Sequence, residues 1–163
     1  MKRRLCLLAP LAACARRPDP LPAPETVRIA DPAQGMITVE KIVRSTAEWR
    51  QTLSPTRYWV MREAGTEQPF TGEYNDYSGP GLFRCAACAT ALFAGDHKFA
   101  SSSGWPGFWQ PLAPQNILKR PDGDRTEVLC IRCESHLGHV FDDGPPPTGL
   151  RYCINSIALT LTT

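Results

Sequence analysis

Two short motifs, Cys85-Ala86-Ala87-Cys88 and Cys130-Ile131-Arg132-Cys133, restrict what this chain can fold into more than any other feature. Each is approached by an apolar pair, Leu82-Phe83 or Val128-Leu129, and followed by a leucine at the same offset, Leu92 or Leu137. A two-residue gap in a tight turn aims both sulfurs at one point. Two such knuckles facing one another therefore supply four thiolates, which suits one tetrahedral structural Zn²⁺. Two structural disulfides are the competing arrangement, favoured in an oxidising compartment. The insertion between the knuckles exceeds the usual gap between paired zinc motifs, so it must be substantial structure. At 163 residues the chain supports one domain with its own core.

Of the seven cysteines, Cys153 alone has neither a CxxC partner nor a place near the N-terminus. The run from Arg151 to Leu161 alternates and is rich in Ile, Leu and Thr, as a strand is. Side chains two apart share a face, which sets Arg151 and Asn155 beside the thiol. A nearby cation favours the thiolate, the form that attacks electrophiles. A buried core cysteine is the alternative.

Ahead of the first knuckle, residues 39–53 carry apolar side chains at roughly helical spacing, with Ser45 as N-cap, Trp49 on the apolar side and Pro55 as terminator. Residues 58–75, containing Gly65, Pro69 and Gly72, read as a loop around a β-rich body. Between the knuckles, Phe99, Trp105, Phe108 and Trp109 crowd beside Gly and Pro, as core or as an aromatic wall. Asp122-Gly123 signals a hairpin whose second strand returns to the second knuckle. His136 and His139 suit proton transfer because imidazole titrates near neutrality; zinc ligation and a plain surface loop compete with that role.

The formal charge of +2 comes from Lys2, Arg3 and Arg4; without them 15 basic residues face 16 acidic ones, which gives no nucleic-acid surface. Residues 1–13 have the charged and apolar regions of an export signal, too short to span a membrane. Leu11-Ala12-Ala13-Cys14 resembles the lipobox of bacterial lipoproteins, which implies an acylated Cys14 and a lipid-anchored protein on the periplasmic side; a short unstructured extension is the alternative. Residues 14–35, with five prolines at 18, 20, 22, 24 and 32, read as an extended tether, leaving 36–163 as the domain.

Taken together, the stretch from Trp49 to Leu159 resembles the methionine-R-sulfoxide reductases of the B type. The residues that carry this are Tyr58, Thr66 to Tyr74, both CxxC pairs, Gly104-Trp105-Pro106, Ser135 to Pro145, and Pro147 to Ser156. The resemblance implies a mainly β (α+β) fold of the β-tent type, two antiparallel sheets with short N-terminal helices, and one structural zinc at Cys85, Cys88, Cys130 and Cys133. It places Cys153 on the catalytic cysteine and His136, His139, Asp143, Arg151 and Asn155 on active-site positions. Trp105 and Phe141 fall on substrate-binding positions. The implied substrates are oxidised proteins or peptides carrying methionine-R-sulfoxide, and the implied reductant is an external thiol such as a thioredoxin-like protein.

Many family members carry a resolving cysteine two residues before the Trp-Pro pair, where this chain has Ser103. With four cysteines at zinc and Cys6 and Cys14 in the leader, one free thiol is left and a one-cysteine cycle is expected. Ala100 and Gly107 replace common acidic and serine residues. A non-catalytic zinc-binding β domain with an aromatic pocket and a thiol peroxidase are the other function classes; the first needs no thiol at 153, the second no Trp105. With no hydrophobic interface signal, a monomer is the default.

Overall fold

A computed structural model describes residues 24–163. The proposed signal at 1–13, Cys14 and the first part of the tether lie outside the described residues. Eleven strands and two α-helices follow in chain order, with all strand pairing antiparallel.

The chain enters with a hairpin, β1 (Thr26–Asp31) and β2 (Gly35–Glu40), in register from Thr26↔Glu40 to Asp31↔Gly35. This corrects two expectations. Residues 26–35 are not tether, and 39–40 are not helix, because Val27, Ile29, Ile37 and Val39 alternate and favour a pleated ribbon. Asn116 fixes the hairpin to the body: its Oδ1 accepts from the Ala30 amide, and its Nδ2 donates to the carbonyls of Ala30 and Ala91, each at 2.7 Å.

Helix α1 (Thr46–Thr52) begins at Ser45, which forms the expected N-cap within a full capping box with Glu48. Such a cap contributes about 1 kcal/mol. Pro55 does end this helix, but it also opens a second, α2 (Pro55–Arg62), capped by Ser54. A proline at the first helical position has no N–H to leave unpaired and already holds the helical φ. The loop expected over 58–75 therefore starts only after Arg62.

Two larger sheets follow. One is three-stranded, in the order β11 (Leu159–Thr162), β3 (Leu82–Cys85), β4 (Ala91–Ala94). The other has six strands in the order β5 (Lys98–Phe99), β6 (Gly107–Phe108), β10 (Arg151–Ile154), β9 (His136–Phe141), β8 (Arg125–Cys130), β7 (Ile117–Asp122). The β7–β8 hairpin turns at Gly123, as its Asp-Gly signal indicates. Between the sheets Phe83, Phe93, Phe108, Leu92, Ile154 and Val128 are fully buried, and burying each such side chain contributes about 1.5–3 kcal/mol. Phe93 stacks on Phe108 at 4.4 Å, and Phe83 meets Phe108 edge-on at 5.1 Å. Of the crowded aromatic residues, Phe108 thus belongs to the core.

The strand expected from 151 to 161 is broken. It pairs as β10 only to Ile154, turns through a 3₁₀ segment at Ser156–Ala158, and resumes as β11 in the other sheet. Within β10, Tyr152 and Ile154 face the core while Arg151 and Cys153 face outward. Opposite Ile154 stands Gly138, where a Cβ would collide with the carbonyl oxygen of Cys153. Gly138→Ala is expected to cost about 2–3 kcal/mol, seen as a lower urea midpoint at unchanged slope; a loss below about 0.5 kcal/mol would be inconsistent with this packing.

Candidate active site

The outward face of the six-stranded sheet gathers the chemistry. Antiparallel partners share a face, and the register pairs Cys153 with His139 on one side and Gly107 on the other, Arg151 with Phe141, and Glu127 with His139. A bulge opposite Val128 and Leu129, with Leu137 as the extra residue, shifts the alternation of β9 by one. His136 and His139, three apart, are thereby brought to the same side, with ring centroids 5.4 Å apart. Without the bulge they would face opposite ways.

Cys153 opens into a cavity of about 120 Å³ lined by Thr66, Trp105, Arg125, Gly138, His139, Phe141 and Asn155. Ser103 lies against the thiol, Oγ to Sγ 3.7 Å. Trp105 is held by its indole N–H donating to the Glu67 carbonyl at 3.1 Å, and Asn155 Oδ1 accepts from the Glu67 amide at 2.9 Å while its Nδ2 donates to Leu137 at 3.0 Å. The Glu67 carboxylate in turn accepts from the amides of Ser156 and Ile157, at 2.5 and 2.9 Å. One residue thus joins the turn after β10 to the aromatic wall and the amide. Burial raises the Glu67 carboxyl against the pull of those two N–H groups.

The electrostatics at Cys153 differ from the sequence reading. Arg151 does favour the thiolate, as does the Ser103 hydroxyl, but burial is the larger influence and leaves the thiol above its ordinary value. Arg151 is also committed elsewhere: it grips Asp143 through two bonds, Nε to Oδ1 2.8 Å and Nη2 to Oδ2 2.7 Å, and its guanidinium lies over Phe141 at 4.5 Å. Asp143 is lowered by that guanidinium, and its charge opposes ionisation of Cys153.

The two histidines are not equivalent. His139 reaches the cavity, and its Nε2–H donates to Asp122 Oδ2 at 2.9 Å. His136 lies behind it, 3% exposed, its Nδ1–H donating to Glu127 Oε1 at 2.7 Å and its Nε2 without a partner. Burial outweighs the Glu127 carboxylate and pushes the His136 pKa down, which keeps the ring neutral. Neither histidine joins the cysteine cluster.

That cluster comprises Cys85, Cys88, Cys130 and Cys133, with all four sulfurs within 4.8 Å of one another. The Cys85–Cys133 and Cys88–Cys130 separations are 3.7 and 3.5 Å, and all four thiols are free. A tetrahedral ion with bonds of about 2.3 Å needs sulfurs about 3.8 Å apart, so the cluster fits one metal ion and not two disulfides. Hydrogen bonds among the four lower Cys88 and Cys133 and raise Cys85 and Cys130, so they do not all ionise together without a compensating charge. Four thiolates in this space require a cation.

A family model for the SelR domain matches residues 53–163. The chain belongs to the SelR family. It is similar to the peptide methionine sulfoxide reductase MsrB of Thiobacillus denitrificans, 54% identical over 121 residues that make up 72% of this chain and 92% of the relative. It is also similar to the proteins of the same name from Agrobacterium fabrum, 50% over 123 residues (73% of this chain and 91% of the relative), and Bradyrhizobium diazoefficiens, 50% over 133 residues (79% and 96%). The fold, mainly antiparallel β with two short helices and a four-cysteine cluster, is that of the SelR domain.

Cys153, His139, Trp105, Phe141 and Asn155 meet in the cavity, whereas His136, Arg151 and Asp143 stand around it. Thr66, Arg125 and the carboxylates of Asp122 and Glu127 were not singled out as site residues. Arg125 and Glu127, two apart on the second hairpin strand, share a face, and that spacing was the available signal for two of them. Because burial raises the thiol, alkylation of Cys153, followed by peptide mass spectrometry as a function of pH, should show a midpoint above that of an ordinary cysteine. Arg151→Met should move it higher still, since a thiolate-favouring charge is lost; a downward move would contradict this electrostatic assignment.

Proposed function

We propose that this SelR-family chain is a peptide-methionine (R)-S-oxide reductase, with Cys153 as nucleophile. The observation that carries this is the cavity itself, where a thiol, the His139 imidazole and the Trp105 ring face one small space. A sulfoxide sulfur is a poor electrophile until its oxygen takes a proton, so the reaction needs a thiolate, an acid and an apolar wall for the S-methyl group. Cys153 attacks sulfur while His139 protonates the oxygen. The S–O bond then breaks as the protonated oxygen passes to the Cys153 sulfur and the transient S–S bond is released, so methionine leaves having gained two electrons and Cys153 is left as a sulfenic acid. Asp122 holds His139, Glu127 and the neutral His136 support it from behind, and Asn155 and Phe141 shape the wall.

Ser103 stands where a resolving thiol would be, and among the described residues the other cysteines are gathered in the metal cluster. We infer a one-cysteine cycle. An external thiol displaces water from the sulfenic acid to give a mixed disulfide, and a second thiol frees Cys153. The ion at the cluster is read as zinc, because a closed set of four thiolates is its characteristic structural shell. Export with a lipid anchor at Cys14 stays part of this reading; membrane-fraction retention lost in Cys14→Ser tests it.

Reduced protein given separate R and S epimers of a methionine sulfoxide peptide and a small dithiol should consume only R. Cys153→Ser should abolish turnover, and His139→Gln should lower kcat/KM by about 100-fold or more. Equal use of both epimers would sink the reading. Turnover without a reductant should leave no intramolecular disulfide at Cys153 by intact mass, and metal analysis should find one zinc per chain.

A further inference from the structure

A cavity of about 270 Å³ lies against the second knuckle and shares no lining residue with the catalytic one. Four of its lining residues are cationic, Lys41, Arg44, Arg62 and Arg132, and one is acidic, Glu134. They come from separate parts of the chain: Lys41 and Arg44 from the link between β2 and α1, Arg62 from the end of α2, and Arg132 from the knuckle itself. Trp49, which is buried, also lines the cavity, and the Arg44 and Arg62 guanidiniums lie over its ring at 5.0 and 4.8 Å from the centroid.

The charges in this recess do not balance. Lys41 and Glu134 pair at 2.8 Å, and their further contacts, to Glu25 at 2.9 Å and Arg120 at 3.4 Å, are again to opposite charges. Among the described residues, none of the three arginines makes an ion pair with a carboxylate. Each meets neutral acceptors instead: Arg62 Nη1 donates to the Cys133 carbonyl at 2.8 Å and the Ser135 hydroxyl at 3.3 Å, Arg132 Nε to the Glu40 carbonyl at 3.2 Å, and Arg44 Nη1 to the Thr52 hydroxyl at 3.4 Å. The field of Arg44 reaches Glu48, but that carboxylate accepts from the amide and hydroxyl of Ser45, both at 2.7 Å. A guanidinium is always charged and carries five N–H donors, so most donors of all three remain unused. Arg62 and Arg132 are half-buried, and Trp49 holds two of the three guanidiniums by the attraction of a cation to a ring face. Like charges gathered in a concavity raise the local potential and draw in an anion.

We propose that this cavity binds a phosphate group, free or at the end of a small ester, between Arg44, Arg62 and Arg132. Guanidinium forks match phosphate oxygens in pairs. A phosphate group carries about −1.5 to −2 charge at neutral pH, where a carboxylate carries one, so phosphate offsets more of the three unpaired cations. The site does not depend on the reductase reading. Its consequence is structural: Arg62 already bonds to the knuckle through the Cys133 carbonyl, so an anion that fixes its guanidinium braces the second knuckle from outside.

Calorimetric titration of the whole protein at constant ionic strength with inorganic phosphate, glycerol 3-phosphate and acetate tests the assignment. One phosphate compound should saturate a single site per chain and bind at least tenfold tighter than acetate; the tighter of the two identifies the source. Arg44→Gln and Arg132→Gln should each weaken that binding at least fivefold, the loss of a charge-assisted hydrogen bond, while Arg84→Gln, in β3 and outside the cavity, should leave it unchanged. Both cavity variants keep Arg62 and its bond to the knuckle, and an unchanged metal content and unfolding midpoint without phosphate show that they fold. Added phosphate should raise the unfolding midpoint of wild type and of Arg84→Gln but not of the Arg44→Gln, Arg132→Gln double variant. No saturable binding at millimolar phosphate, acetate binding as tightly as phosphate, or an affinity unchanged in both cavity variants overturns the proposal.

Discussion

The structure depends first on the cluster of four thiols, because it is the point at which the two larger sheets are tied. Cys85 ends a strand of the three-stranded sheet and Cys130 ends a strand of the six-stranded one. Each sulfur pair at 3.5–3.7 Å crosses from one knuckle to the other. A metal ion bound there would link layers otherwise joined by the aromatic core. The second knuckle also reaches α2, where Arg62 donates to the Cys133 carbonyl at 2.8 Å and stacks on Trp49. Helices, hairpin turns and both sheets therefore converge on one coordination centre, and β9 with its histidines leaves directly from it.

From that anchor the site is assembled by strand geometry more than by loops. Cys153 owes its outward direction to the alternation of β10, and the two histidines share its face because β9 carries one extra residue. Gly138 permits the close approach of β9 and β10 that this requires. Only the aromatic wall and Asn155 need help from a loop, and Glu67 supplies it through three parts of one residue: its amide, its carbonyl and its carboxylate. Burial raises the Cys153 thiol above its ordinary value, against the pull of the Ser103 hydroxyl and the Arg151 guanidinium.

Much of this was legible in the sequence where a local rule and the tertiary structure agree. The CxxC spacing gave the cluster, Ser45 gave a cap, Asp122-Gly123 gave a hairpin, and the alternation at 151–154 gave the direction of Cys153. It failed where one residue serves two elements. Pro55 terminates α1 and starts α2, and Asn155 ends one sheet's strand before Ser156 turns the chain towards the other. The prolines around residues 20–32 masked a real hairpin, because what holds it is Asn116, about 86 residues away. The pairing of Asp122 with His139, and of Asp143 with Arg151 instead of a histidine, depends on distances no spacing reveals.

The position beside the nucleophile carries a last consequence. Ser103 Oγ lies 3.7 Å from Cys153 Sγ and bonds to Ser101 at 2.9 Å, so the site next to the thiol is already shaped, polar and oriented. Exchanging that single oxygen for sulfur would set a second thiol beside Cys153, so whether the pair can close into a disulfide is decided at position 103 alone.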